Sequence, residues 1–231
     1  MFDRLAPIVL PFLPARAAAR IGHAPHWAVP LIVVVLAQMV IGLLAHGLRV
    51  EQTIAHIPPS ATQAELTIVR EELERALPWD LAVVPLKETA GAAAGAVVLG
   101  LVIAALGIAQ RPRFAMLFAL CIGLAGIGIA EKGAEIAFLS TTGHVSAVPP
   151  YPWSGLVFAD SRAVSYPVGL LLTTINLFTL WYVRALARAL AVLCNISKAH
   201  AVLIAVVFWA VTAGCAIAVL HLLRNAYVFT F

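Results

Sequence analysis

Charge is scarce in this sequence: Asp, Glu, Lys and Arg make up 11% of its 231 residues. An average soluble domain carries about a quarter. So little charge does not clothe a hydrated surface, which excludes most soluble-enzyme and nucleic-acid-reading folds. Cysteine is scarce too. Cys121, Cys194 and Cys215 each sit inside an apolar run with no pair at metal-ligand spacing, which argues against a disulfide scaffold or zinc site and leaves ordinary packed thiols. A phosphate-binding Gly-Lys loop, a Gly-x-Ser-x-Gly elbow and a His-Glu-x-x-His helix are all missing. His46, Glu51 and His56 fall on one connection, with His144 and His221 on the same expected side. Their spacing matches no tight metal signature. The expectation is therefore no enzyme activity, no cofactor and no bound metal.

Apolar residues take up what charge leaves: 62% of the chain is hydrophobic, and the mean hydropathy is +0.98. Long apolar stretches, rather than the alternation of an outer-membrane barrel, account for this. The pattern predicts an all-α, polytopic transmembrane bundle forming a single membrane domain over residues 1–231. Five spans are expected, at about 27–45, 89–109, 114–130, 167–183 and 201–222. Pro30 falls in the first turn of the first span, where its missing N–H does no harm. Residues 1–26, with Pro11, Pro14 and three Arg, read as a short interfacial lead-in that is retained rather than cleaved.

The net charge of +4 is spread between apolar segments instead of clustering on one solvated face, so no nucleic-acid partner is expected. It serves topology instead. With the N-terminus inside, the cytoplasmic parts hold Arg4, Arg16, Arg20, Arg111, Arg113, Arg184, Arg188 and Lys198 against one acid, Asp3. Short connections rich in Lys and Arg stay in the cytoplasm. The prediction is a cytoplasmic N-terminus and a periplasmic C-terminus in a bacterial inner membrane, with Trp27 and Trp181-Tyr182 in the inner aromatic belt. Trp79, Tyr151, Trp153 and Tyr166 fall in the outer one.

The first outer connection carries one soluble-type element. Pro58-Pro59-Ser60 breaks the chain, Thr62-Gln63-Ala64-Glu65 reads as a capping box, and Leu66, Val69, Leu73 and Leu77 recur at helical spacing before Pro78 stops the helix. An amphipathic helix over 62–77 follows; being acidic, it suits a cap on the bundle better than an anionic bilayer surface. Small residues mark helix contacts: Gly91 and Gly95 in the second span, with Gly100 and Gly107, face Gly123, Gly126 and Gly128 in the third.

Ionisable groups at membrane depth are the default functional pointers, because an unpaired charge there costs at least a few kcal/mol. Glu131 and Glu135 share a helical face, with Lys132 adjacent. The three form a candidate polar or ion site, against the simpler reading that they mark a helix end. Arg184 and Arg188, also one turn apart, are candidates for contact with lipid headgroups or an acidic partner, against plain topology setting. Asn176, one turn after Thr173, is a polar residue in mid-span suited to an interhelical hydrogen bond.

The run Asn176-Leu177-Phe178-Thr179-Leu180-Trp181, an apolar stretch, the turn Asn195-Ile196-Ser197-Lys198-Ala199 and a last apolar span together resemble bacterial members of the Yip (Ypt/Rab-interacting protein) family. His26-Trp27-Ala28-Val29-Pro30-Leu31 and the segment from Thr62 to Leu66 are similar to its front half, so the likeness covers about residues 25–221. Asn176 stands where that family commonly has Asp, and the segment around Pro149-Pro150-Tyr151-Pro152-Trp153 is longer and richer in Pro. The resemblance implies a five-span membrane fold with a cytoplasmic N-terminus, and no catalytic residue. The expected function is a non-enzymatic interaction or scaffold subunit that contacts membrane lipids and a membrane-protein partner or a second copy of itself. An accessory subunit of a respiratory or photosynthetic complex is one alternative. A small transporter or permease component, which needs a water-accessible polar pathway, is another.

Overall fold

The computed structural model describes residues 5–55, 57, 62–142, 151–154 and 166–228. Among these there are helices and no strand: α1 (Ala6–Val9), α2 (Pro14–His23), α3 (Ala28–Ala55), α4 (Gln63–Ala82), α5 (Val84–Ala105), α6 (Phe114–Thr142), α7 (Tyr166–Thr174), α8 (Leu177–Leu193) and α9 (Lys198–Val228). Four segments are long and apolar enough to cross a membrane: Ala28–Leu48, Gln63–Ala105, Phe114–Thr142 and Lys198–Val219. The chain is thus an all-helical protein with the make-up of a multi-pass membrane protein.

Four of the five expected spans coincide with α3, α5, α6 and α9. The fourth is divided. In place of one helix over 167–183, the chain forms α7, a break at Ile175-Asn176, and α8, which runs on to Leu193. The break has a local cause. Thr173, Thr174 and Ile175 are β-branched and stiff in a helix, and Thr and Asn side chains compete for backbone hydrogen bonds. Here they win: Thr174 Oγ1 donates to the carbonyl of Leu171, Thr179 Oγ1 to that of Thr174, and Asn176 caps the new helix.

Two other boundaries shift. The capping box at Thr62 forms in full, but the helix passes Pro78 and ends at Ala82, a single residue before α5. Pro78 and Glu74, whose carbonyl loses its partner, are both exposed, so solvent supplies what the proline removes. Helix α6 continues to Thr142 instead of ending near Ala130, which places Glu131, Lys132 and Glu135 inside the helix rather than at its end. The prolines at 58–59 and the segment 143–150 lie outside the described residues.

The N-terminal segment, expected as an interfacial lead-in, packs on the core through α1 and α2. Ala6, Leu10, Ala17, Ala18 and Ile21 are buried, because the apolar face of α2 is covered by α8 and α6 instead of by lipid. Two glycines of α6 make room for it. A Cβ on Gly123 would run into the Pro7 carbonyl, and one on Gly126 would touch Pro11. The α5–α6 contact that sequence assigned to both glycine sets is made by Gly95 against Cys121 and Gly100 against Leu117, while Gly91 has nothing within 4 Å. Trp181 packs on the same segment: its indole Nε1 donates to the Pro11 carbonyl at 2.8 Å.

Candidate functional site

A polar cavity of about 420 Å³ opens where the α7–α8 break meets α6. Each wall owes its position to a local feature. Helix α6 presents Glu131, Lys132 and Glu135 from adjoining turns, and Gly128, one turn below, leaves the space empty of side chain. Helix α3 contributes Gln38. From the break come Thr173, Thr174, Asn176 and Thr179.

Asn176 does two jobs. As N-cap of α8 it is extended, and its Oδ1 accepts the N–H of Thr179 at 2.8 Å. Its Nδ2 donates to Glu131 Oε1 at 2.6 Å and to the Thr173 carbonyl at 3.1 Å. The interhelical hydrogen bond expected of Asn176 is therefore made, and its acceptor is one of the candidate acids. Glu131 also lies by the N-terminus of α8, the end of the helix dipole that favours an anion. Broken backbone at membrane depth survives only where its polar groups are satisfied inside the protein or line a cavity. Both conditions hold at this break.

The remaining wall is the short segment 151–154, which sequence did not connect with the site. Tyr151 and Trp153 stack at 5.2 Å with an interplanar angle of 8°, and Phe138 of α6 meets both edge-on. Trp153 also meets Phe178 of α8 edge-on. Backbone pairing completes the anchorage: Ser154 bridges to Asn176, and Leu177 N–H donates to the Trp153 carbonyl at 3.3 Å. Burial, reinforced by the nearby charge of Glu135, pushes the Tyr151 phenol up to about 12. Tyr151 and Trp153 thus line the cavity. Their proximity to Glu131 is a product of the tertiary fold, and no local pattern in the sequence announces it.

Gln38 and Lys132 also line a second, outer cavity of about 240 Å³, together with His46, Asp80, Lys87 and Glu88. The two cavities therefore adjoin, and polar side chains run from the α4–α5 junction inward to the helix break. Two carboxylates against one ammonium make the inner cavity electronegative, with an aromatic pair at its edge. That combination suits a small cation: carboxylates neutralise it, and an aromatic face attracts it within about 6 Å of the ring centroid.

Arg184 and Arg188 are elsewhere. They face a separate groove on the opposite stretch of α8, shared with Lys198. Among the described residues no three His, Cys, Asp or Glu side chains are grouped to hold a metal ion. His56 and His144 lie outside the described residues, as does the side chain of His221. Compared with known proteins, the chain matches no family model, no curated protein and no solved structure.

Proposed function

We propose that this chain is a non-enzymatic, multi-pass protein of a bacterial inner membrane that binds a small cationic solute in the cavity at the α7–α8 break. It serves as a small permease or as the ligand-binding component of a larger membrane assembly. The carrying observation is the Asn176–Glu131 hydrogen bond, which ties a broken helix to an acid inside the bundle. Discontinuous helices meeting at a polar site are the common device by which membrane proteins hold small solutes and ions. The adjoining outer cavity supplies the polar approach that such a role needs. In this reading α7 and α8 are two halves of a fifth span, and the end carrying Arg111, Arg113 and Lys198 faces the cytoplasm.

A second reading, the Yip-type interaction subunit, draws support from α3. Ile32, Leu36, Val40, Leu43 and Leu44 form one apolar stripe, each at least half exposed, that suits lipid or a partner span. One experiment separates the two. The full chain is purified in mild detergent from native membranes, co-eluting proteins are identified by mass spectrometry, and the protein is then placed in liposomes with sodium, potassium and methylammonium as tracers. Saturable uptake or binding of at least one tracer, lost in Glu135→Gln and weakened in Glu131→Gln, is the expected result. A stoichiometric partner with no tracer response overturns the first reading in favour of the second.

A further inference from the structure

We infer that the groove between α2, α8 and α9 is a binding site for one anionic phospholipid, independent of the cavity at the helix break. The groove has a volume of about 570 Å³. Leu180, Val183, Ala187 and Ala191 recur every three or four residues along α8 and line it, so they form one apolar stripe about 16 Å long at helical rise. Val202 of α9 faces that stripe. This is a bed for an acyl chain.

The charge on the same walls specifies the headgroup. Arg184 and Arg188 lie one turn apart on the α8 face, Lys198 stands at the start of α9, and among the described residues no acid lines the groove. Like charges one turn apart repel each other, and cations at membrane depth are costly unless an anion meets them. A phosphodiester satisfies all three at once, with the planar guanidinium groups suited to its oxygens. The position is right as well. Arg184 lies about 14 Å along α8 from Leu193, the end held by the Gln110 side chain on the Leu193 carbonyl. An exposed Arg reaching from that depth toward the interface is placed where lipid phosphates are found.

Inorganic phosphate fits less well: it answers the charge and leaves the apolar stripe uncovered.

The test uses the full chain in nanodiscs of phosphatidylcholine with a minor share of phosphatidylglycerol, read by native mass spectrometry of retained lipid. One phosphatidylglycerol is expected to remain on the wild-type protein. At about a fivefold loss per basic residue, Arg184→Gln with Arg188→Gln weakens retention about twenty-five-fold. Val202→Trp, which fills the groove with the charges intact, lowers it too, whereas Arg111→Gln with Arg113→Gln does not. Should the double variant not fold, displacement from wild type by dihexanoyl-phosphatidylglycerol, and its resistance to inorganic phosphate, give the same answer. Equal retention of both lipids, equal loss in the Arg111/Arg113 control, or displacement by phosphate alone overturns the assignment.

Discussion

Replacing Asn176 separates the two jobs that one side chain performs. Serine is as good an N-cap as asparagine, so Asn176→Ser keeps the start of α8, but its short hydroxyl does not reach Glu131. The cross-helix bond is lost together with the local bond from the same amide to the Thr173 carbonyl. A hydrogen bond to a charged group contributes about 1.5–3 kcal/mol in soluble proteins, while interhelical bonds in membrane proteins average about 0.6 and reach about 1.7. Because Glu131 is half-buried and the bond is short, the upper part of the membrane range applies, and Asn176→Ser is expected to cost about 1–2 kcal/mol. Asn176→Ala removes the cap as well, for about 1 kcal/mol more.

The assay is reversible unfolding in mixed micelles, followed by far-ultraviolet circular dichroism across the detergent series. Each substitution is made in the wild type and in Glu131→Ala. With no carboxylate to bond, the serine cost should fall to that of the lost Thr173 bond, about 0.5–1 kcal/mol. The step from serine to alanine, which reports the cap alone, should be unchanged. A serine variant as unstable as the alanine one, or a serine cost undiminished without Glu131, refutes the coupling of helix break to acid.

Three further outcomes follow from the packing. Gly123→Ala should destabilise the protein by about 1–3 kcal/mol and expose the N-terminal segment to protease, because the new methyl meets the Pro7 carbonyl; Gly91→Ala, with open space around it, should stay within about 0.5 kcal/mol of wild type. Thr62→Ala should cost α4 about 1 kcal/mol, seen as faster amide exchange in its first turn. The Tyr151 phenol, raised in the fold to about 12, holds its proton more tightly folded than unfolded. Its contribution is therefore complete below the ordinary tyrosine value of about 10 and is lost as pH rises from there through about 12. Tyrosinate difference absorbance of wild type against Tyr151→Phe checks this, and a titration near 10 contradicts the burial.

How much of this could be read from the sequence depended on how local each cause was. Hydropathy located the apolar helices, and the Thr62 capping box was legible because four adjacent residues carry it. The candidate acids were legible because charge inside an apolar run is conspicuous. The division of the fourth span was written in Thr173, Thr174 and Ile175, yet hydropathy alone does not see it, since three β-branched residues barely lower an apolar average. Tyr151, Trp153 and Gln38 come to Glu131 from distant parts of the chain, so no spacing rule links them. The packing of the N-terminal segment was hidden for a different reason. An amphipathic helix with exposed arginines looks the same from sequence whether lipid or protein covers its apolar face, and here the glycines of α6, far along the chain, decide for protein.

The break at Asn176 also divides the labour between the two acids. Glu131 is held by the Asn176 amide and lies at the positive end of α8, so its charge is answered within the protein. Glu135, one turn further along α6, faces Lys132 and the Tyr151 side of the same cavity. Of the two carboxylates it is the one left to meet a ligand. Lys132 stands on the wall common to the inner and outer cavities, and its charge is felt by Glu135. A helix broken by its own threonines thus does more than interrupt a span. It fixes one acid by the Asn176 amide and leaves the second, one turn along α6, on the wall of the same cavity.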